Sequence, residues 1–232
     1  MNLYETFEYV GILMPQLLIG LKVTLQLFCL TLVFSIPLGL VVSLGRISPF
    51  KPLQWLVQLY LLIFRGTPLM LQLFFFYFGL PFIDFNPFTP ELNNLVLDRF
   101  DTAVLAFVMN YAAYFAEIFR GGIIGVNQGQ YEAAKALGLN SGQTMWHIVI
   151  PQMLHTVVPP VANETIVLVK DTALVSSIAL IDMLKKAQQA VNRDMNVTAY
   201  LLVAIIYLVI TMVLTYFFNY LERRMSLSQR RS

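Results

Sequence analysis

Charged residues are scarce in this sequence. Lysine and arginine together number 15 and aspartate and glutamate 13, so charged residues make up 12% of the chain, whereas hydrophobic residues make up 58%. A soluble globular domain carries about 25% charged residues, and the mean hydropathy of +0.69 points the same way. The composition therefore excludes a soluble globular protein and predicts an integral membrane protein. The formal net charge of +2 is too small to indicate a nucleic-acid partner.

Several kinds of chemical site are missing as well. The single cysteine, Cys29, excludes an intramolecular disulfide. The two histidines, His147 and His155, are not part of a His-Glu-x-x-His pattern, so nothing supports metal catalysis. No stretch matches G-x-x-x-x-G-K-[ST], the loop with which many proteins bind nucleotide phosphates. We therefore expect this chain to bind no metal, nucleotide or other cofactor and to carry no catalytic residues.

Long apolar runs are what the sequence has instead. A helix needs about 20 apolar residues to cross the hydrocarbon core, and only helices and closed barrels satisfy the backbone there. Glu5 and Glu8 precede the first run, where a signal peptide would carry basic residues, so we expect this run to be a span. We predict an all-α integral membrane protein, a single domain over residues 1–232 with five transmembrane helices. The spans run from about Leu17 to Leu44, Leu53 to Leu80 (interrupted at residues 65–68), Thr102 to Phe119, Met153 to Leu174 and Ala199 to Phe218.

The distribution of lysine and arginine among the connections predicts the orientation, because positive residues stay on the cytoplasmic side. One side carries eight of them, and the other side carries four together with eight acidic residues. We therefore place the N-terminus outside and the C-terminus in the cytoplasm, which agrees with an odd number of spans. The eight are Arg46, Lys51, Arg120, Lys135, Arg223, Arg224, Arg230 and Arg231, and the four are Arg99, Lys185, Lys186 and Arg193.

Two outer connections differ in character. Residues 81–101 contain Pro81, Pro87 and Pro90, and this predicts a turn-rich loop with little regular structure. Residues 177–196 alternate apolar and polar positions at helical spacing, which predicts a short amphipathic helix at the outer surface.

Four charged residues within the predicted spans stand out, with Lys170 beside the last of them. A charge inside the membrane is costly, so each one is a candidate functional residue. Glu117 stands three residues before Arg120, and we expect the two to form a structural pair. Arg65 is expected to reach the interface or to bind the carbonyls freed around Gly66 and Pro68. The four are Arg65, Glu117, Glu164 and Asp171.

One face of the fourth predicted span is polar. Thr156, Asn163 and Lys170 recur every seven residues, and Glu164 and Asp171 repeat the same step one position later. At about 100° per residue these positions share one face, which either lines a polar path or meets another helix. The third span has a narrower face of small and polar residues. The candidate solute-binding or pathway residues are Asn163, Glu164, Lys170, Asp171, Asn110 and Tyr114.

The cytoplasmic connection over residues 120–151 is too polar to span the membrane. Strong helix formers at residues 130–137 predict a helix, and Gly138 is a natural C-terminal stop. A second short helix is expected to follow, capped by Asn140 or Ser141 and ending before the proline that closes the connection.

Two kinds of surface could cover this helical segment. As an interfacial helix it would pack Tyr131, Leu137 and Trp146 against lipid headgroups. As a docking element it would bind another protein. Periodicity alone does not decide between the two, because short apolar patterns specify little.

The spacing of residues in this segment matches a known signature. Glu132-Ala133-Ala134 is followed after three residues by Gly138, after nine more by Ile148, and then by Ile150-Pro151. The pattern resembles the EAA motif of the membrane subunits of ATP-binding-cassette importers, which usually has Leu at the position of Ile150. Four further stretches resemble the branch for polar amino acids, so the resemblance spans nearly the whole chain. They are FRGTPLMLQLFFFYFGLP from Phe64, YAAYFAEIFRGGI from Tyr111, ANETIVLVKDTAL from Ala162 and LERR from Leu221.

This resemblance implies a type I ABC importer permease fold, in which residues 120–151 hold a coupling helix that docks on a separate ATPase. It implies an ATPase dimer that binds ATP and Mg²⁺, a second permease copy or homologue, and an external amino-acid-binding protein, all at the prokaryotic cytoplasmic (inner) membrane. The charged face of span four could bind the carboxylate and ammonium of a polar amino acid during alternating access. The residues that the resemblance assigns to ATPase coupling are Tyr131, Glu132, Ala133, Ala134 and Gly138.

Other functions stay open at this point. The nearest is an ATP-driven permease for another small solute. A proton-coupled secondary transporter would use Glu164 and Asp171 as a proton relay and leave the cytoplasmic helix at the lipid interface. An intramembrane enzyme is disfavoured, because the sequence offers no nucleophile paired with a base and no metal cluster.

Overall fold

The structure, a computed structural model, describes residues 3–80 and 97–229, and all regular elements of this part of the chain are helices. Most of the predicted outer loop, residues 81–96, lies outside the described residues. The helices are α1 (Leu3–Ile47), α2 (Lys51–Gly66), α3 (Leu69–Phe74, continued by a π turn, Phe75–Gly79), α4 (Arg99–Ile124), α5 (Gln128–Ala136), α6 (Ser141–Thr144, continued by a π turn, Met145–Val149), α7 (Ile150–Asp171, continued by a 3₁₀ turn, Thr172–Ile178), α8 (Met183–Asp194) and α9 (Thr198–Gln229).

The number of membrane spans is only partly as predicted. By length and composition, α1, α4 and α9 can each cross a membrane among the described residues, and α2 with α3 forms a fourth span if this bent pair counts as one. The predicted fourth span, α7, has 22 residues but is not among them. Polar side chains such as Asn163, Glu164 and Lys170 lower its hydropathy. The five-span count is therefore not confirmed, although α7 is long enough to reach across.

Helix α1 is much longer than the predicted first span. Its 45 residues give a length of about 68 Å, more than twice the hydrocarbon core of about 30 Å. The amino-terminal part of α1 extends beside α8, where the Tyr9 hydroxyl donates to Asp194 Oδ2 at 3.0 Å. The predicted span begins where the apolar run starts. The helix itself begins earlier, because its amino-terminal part contacts α8.

Helix α4 forms the centre of the molecule, and α1 packs along it. A Cβ atom on Gly39 of α1 would lie 2.8 Å from Cβ of Phe115 and 3.0 Å from the carbonyl oxygen of Ala112, so only glycine permits this approach. A similar close crossing joins α4 to α7, where a Cβ on Gly122 would lie 2.3 Å from Val157 Cγ1. Close backbone approach at small residues is how helices associate in membranes.

The amphipathic helix predicted for residues 177–196 is confirmed as α8. Met183, Ala187 and Ala190 lie on one face and are buried against α1 and α9. Asp182 caps its amino terminus by accepting hydrogen bonds from the backbone N–H groups of Lys185 and Leu184. Packing against two long helices thus holds α8 in place.

The connection predicted to be cytoplasmic forms a helix, a turn and a second helix, as predicted. Gly138 has φ +78° and follows α5. Its N–H donates to the Lys135 carbonyl and the N–H of Leu139 to the Ala134 carbonyl, which together make a Schellman motif. Asn140 then caps α6 in a capping box with Gln143.

The predicted end of the second helix before Pro151 is wrong. Helix α6 continues through its π turn directly into α7, and no break occurs at the proline. The Ile150 N–H donates to the Met145 carbonyl across this wider turn. Pro151 follows this wider turn directly, and the helix passes through it without a break.

Candidate functional site

The span formed by α2 and α3 is broken, and amide side chains fill the break. The two helices are bent by 106°. Gln72 donates from Nε2 to the carbonyl oxygens of Phe64 at 2.9 Å and Thr67 at 3.0 Å. Asn110 donates from Nδ2 to the Phe64 carbonyl and to Gln72 Oε1, both at 2.9 Å. These amides donate hydrogen bonds to the carbonyl groups that the break leaves free. This was one of the two roles that we had expected of Arg65.

Two residue assignments change as a result. Gln72 was missed by sequence reasoning, although a lone glutamine in an apolar run just after Arg-Gly-Thr-Pro is a usable signal. Asn110 is 4% exposed and its amide is engaged within the chain. A solute contact for Asn110 therefore stays a prediction without geometric support, and we leave it out of the proposed site.

Arg65 on α2 interacts with residues of α4 and α7, the two other helices around the site. Its Cζ lies 5.5 Å from the ring centroid of Tyr114 on α4, within the range of a cation–π contact. Glu164 on α7 interacts electrostatically with Arg65 and with Asp171. Two of the predicted pathway residues, Tyr114 and Glu164, thus lie near the Arg65 guanidinium, and a third, Asp171, lies near Glu164.

Asp171 is anchored to α4 by a tyrosine that was not among the predicted candidates. The Tyr111 hydroxyl donates to Asp171 Oδ2 at 2.7 Å. Tyr111 is buried within a row of stacked and tilted aromatic rings on α4 that also includes Phe107 and Phe115. The tyrosine therefore holds one carboxylate oxygen of Asp171 in a defined position. Among the described residues, no group of three or more His, Cys, Asp or Glu side chains could hold a metal ion.

The polar face of α7 is only partly covered by the other residues that the structure describes. Asn163 and Lys170 are exposed, and Glu164 and Asp171 are partly exposed. The opposite face is buried against α4 and α9. The face is thus free to line a path or to meet another chain, the two alternatives that the sequence left open.

A cleft of about 490 Å³ opens beside Arg65 and Tyr114. Its volume lies within the range of ordinary ligand pockets, about 300–1,000 Å³. The end of α1, one face of α2 and residues 114–117 of α4 form its walls. The lining residues are Arg46, Gln58, Leu61, Leu62, Arg65, Gly66, Tyr114 and Glu117.

Glu117 and Arg120 form the predicted pair. Arg120 donates to Glu117 Oε2 from Nη2 at 2.7 Å and from Nε at 3.0 Å. Both donors reach the same carboxylate oxygen, and this charge-assisted contact offsets the Glu117 charge at that end of the cleft.

The predicted coupling helix, α5, projects from the helical core. Glu132, Ala133 and Lys135 are exposed, and Leu137 just beyond the helix is 80% exposed. Asn127 caps the helix by accepting from the Gly129 N–H at 2.8 Å. Most of this short helix therefore presents side chains that no other described part of the chain covers.

Two of the five coupling residues face inward. Ala134 is fully buried, because the reversal at Gly138 brings the π turn of residues 145–149 back against α5. A direct contact of Ala134 with a partner therefore stays a prediction that its burial does not support. Tyr131 donates from its hydroxyl to the Ile123 carbonyl at 3.1 Å, which ties α5 to the end of α4. Gln152 on α7 donates to Gln130 at 3.2 Å, so α5 is joined to both helices that border the site.

Comparison with known proteins identifies the class. Residues 35–227 match the family described as binding-protein-dependent transport system inner membrane component, and the chain belongs to this family. The match covers most of the chain, including the broken span, the polar face of α7 and the coupling segment.

Individual relatives are similar over nearly their whole length. The arginine transport system permease protein ArtQ of Bacillus subtilis is 39% identical, with 91% of this chain and 93% of the relative covered. The glutamine transport system permease protein GlnP of Escherichia coli is 32% identical, with 92% and 94% covered. A solved structure of an amino acid ABC transporter with histidines superposes with a TM-score of 0.83 at 31% identity, covering 97% of this chain and 99% of that one. The MetNI methionine ABC transporter, at 19% identity and a TM-score of 0.72, supports the fold alone.

Proposed function

We propose that this chain is the permease subunit of an ATP-driven importer that moves a polar amino acid across the cytoplasmic membrane by alternating access. Its family supports transport through the inner membrane. The names of its relatives include arginine and glutamine transport, and the most similar structure reported above is an amino acid transporter. These likenesses make a polar amino acid the first solute class to test.

The observation that carries the proposal is the charged cluster between α2, α4 and α7. Arg65 offers a guanidinium, and Glu164 and Asp171 offer carboxylates on a neighbouring helix. A zwitterionic amino acid needs both kinds of partner, one for its carboxylate and one for its ammonium. Charges inside an apolar chain are retained where they serve a solute pathway.

The exposed polar face of α7 supports a second permease copy or homologue. Asn163 and Lys170 would be costly in lipid but stable in a water-filled path between two chains. A single chain with so few spanning helices makes only one wall of such a path. We therefore propose that two permeases enclose it, with an external amino-acid-binding protein delivering the solute.

The exposed side of α5 supports docking on an ATPase. Glu132 can pair with a basic group of the partner, and Ala133 allows close approach. The contacts of Tyr131 and Gln130 with α4 and α7 would transmit the movement of α5 to the site. ATP and Mg²⁺ would be bound by the ATPase dimer on the cytoplasmic side, with the N-terminus of this chain outside and the C-terminus inside.

The test is hydrolysis by the assembled complex. The chain is co-expressed with the ATPase encoded beside it and reconstituted in lipid. ATP hydrolysis is then followed while L-arginine, L-glutamine and L-cystine are titrated with the binding protein. We expect stimulation by at least one of them, and its loss in a Glu132→Ala/Gly138→Pro double variant, because proline cannot adopt φ +78°. The matched control is Gly11→Ala, where a Cβ meets nothing within 4 Å.

Two other outcomes would redirect the proposal. If a non-amino-acid solute alone stimulates hydrolysis, the chain is a permease for that solute. The half-exposed carboxylates Glu164 and Asp171 favour proton-coupled secondary transport as the second candidate. That candidate would be established if uptake did not depend on ATP or on a bound ATPase and if a proton uncoupler abolished it.

A further inference from the structure

The cleft beside Arg65 continues beyond the charged cluster. Gln58, Leu61, Leu62 and Arg65 line it from one face of α2. Gln58 and Arg65 are two turns apart, which separates them by about 10 Å along the helix axis. The cleft therefore has two ends, one at Arg65 and a second that the charge distribution places on the cytoplasmic side.

The second end has its own cation. Arg46, at the carboxyl end of α1, lines the cleft together with Gln58 and Glu117. In the part of the chain that the structure describes, neither Arg46 nor Arg65 takes part in an ion pair. Glu117 is already neutralised by Arg120. The cleft thus carries one guanidinium group at each end. Arg65 has the Glu164 carboxylate nearby, whereas Arg46 has no counter-charge among the described residues, so the Arg46 end favours an oxyanion.

We propose that Arg46 forms a second, cytoplasmic-side subsite for the carboxylate of the transported solute. This inference rests on the proposed function. The solute carboxylate would be bound first by the guanidinium of Arg65 and then by that of Arg46. Because Arg46 offers the carboxylate a second guanidinium, it lowers the free-energy cost of releasing the solute from Arg65.

Continuity with the pathway favours the solute over a lipid headgroup as the occupant. The cleft begins at the Arg65–Tyr114 contact, next to Glu164 of the candidate pathway. A phosphate headgroup shares the oxyanion chemistry and could reach Arg46 from the bilayer. The experiment therefore has to separate the two sources.

The labelling rate of a cysteine introduced at each end of the cleft measures solute binding at the two ends separately. In a chain whose native thiol is removed by Cys29→Ser, Gly66→Cys reports on the Arg65 end, and Gln58→Cys reports on the Arg46 end. The Gly66 position has room, since a Cβ there meets nothing within 4 Å. The complete complex with its ATPase is held without ATP in phosphatidylcholine nanodiscs. Labelling by a methanethiosulfonate reagent is timed with L-arginine or L-glutamine and, as a probe without the carboxylate, with agmatine.

We expect either L-arginine or L-glutamine to slow labelling at both reporters and agmatine to slow neither. Adding Arg46→Gln should raise the concentration needed for protection of the Gln58→Cys reporter by about tenfold, the loss of one charge-assisted hydrogen bond. Protection of the Gly66→Cys reporter should not change. Lys51→Gln is the matched control, because Lys51 is a nearby cation that hydrogen-bonds Gln54 and does not line the cleft.

The outcomes separate this inference from the function on which it rests. Protection of the Gly66→Cys reporter alone overturns the second subsite and leaves the pathway intact. Protection of neither reporter by any solute that stimulates hydrolysis overturns the pathway as well. Slower labelling of the Gln58→Cys reporter on adding phosphatidylglycerol, without any solute effect, assigns Arg46 to a lipid headgroup and also overturns the inference.

Discussion

The short helices α5 and α8 differ in how much of their surface the rest of the chain covers. Both are amphipathic, and both connect longer helices. Helix α8 buries Met183, Ala187 and Ala190 against α1 and α9, whereas α5 buries only Ala134. The sequence pattern predicted each helix but not this difference. An amphipathic helix with a buried face contributes to the fold, and one whose polar and small residues stay open is available to a partner.

The largest effect is expected where α8 meets α1. A Cβ on Gly20 would lie 2.7 Å from the Asp182 carbonyl oxygen and from Met183 Cα, both backbone atoms that cannot turn aside. Gly20→Ala should therefore destabilise the protein by about 3 kcal/mol, measured as a lower Tm in detergent. Gly11→Ala on the same helix is the control and should leave Tm unchanged or slightly raised. An unchanged Tm for Gly20→Ala would show that α8 is not held as described.

The same substitution on both short helices sharpens the comparison. Ala187→Leu on the buried face of α8 should cost about 2 kcal/mol of stability through overpacking. Ala133→Leu on the exposed face of α5 should change stability by no more than about 0.5 kcal/mol. Copurification of the ATPase should be weakened by Ala133→Leu alone. Equal Tm losses in the two variants would contradict the difference between the helices.

The cap of α8 predicts a dependence on pH. Burial raises the pKa of Asp182 to about 6, above its ordinary value of 3.8. A raised pKa in the folded state means that the stabilisation is full below about pH 3.8 and is lost as the pH rises to about 6. Tm should therefore fall across this window in the wild type but not in Asp182→Asn, which keeps the cap without the charge.

The cap itself is tested by removing it. Asp182→Ala should cost about 1 kcal/mol at pH 4, because the N–H groups of Leu184 and Lys185 lose their acceptor. Thermal unfolding of Asp182→Asn at the same pH provides the reference. A wild-type Tm that is flat between pH 4 and 6 would mean that the carboxyl is more solvated than the structure indicates.

The smallest effect is expected at the end of α5. Gly138 has φ +78°, and an L side chain there costs about 1 kcal/mol. Gly138→Ala should lower Tm slightly, whereas Gly142→Ala in helix α6 should be neutral or stabilising. If hydrolysis by the assembled complex falls in Gly138→Ala and not in Gly142→Ala, the turn positions α5 for its partner. Equal behaviour of the two variants would leave no special role for this turn.

Local sequence signals succeeded where one residue type has one physical role. Gly138 and Asn140 were placed correctly, because a left-handed turn favours glycine and a short oxygen-bearing side chain caps a helix. Pro151 misled the prediction, because the helix passes through this proline by way of the π turn that precedes it. The Glu117–Arg120 pair was predicted because three residues on a helix bring two side chains together.

The sequence by itself determined the class of this protein: scarce charge and long apolar runs require a membrane, and the EAA spacing marks the family. Tertiary structure alone decided the tasks of Arg65, Gln72, Asn110 and Ala134. These residues lie on separate helices or on either side of a break, and their contacts depend on how the helices cross. Helical periodicity tells which residues share a face, but it does not tell which face meets which neighbour.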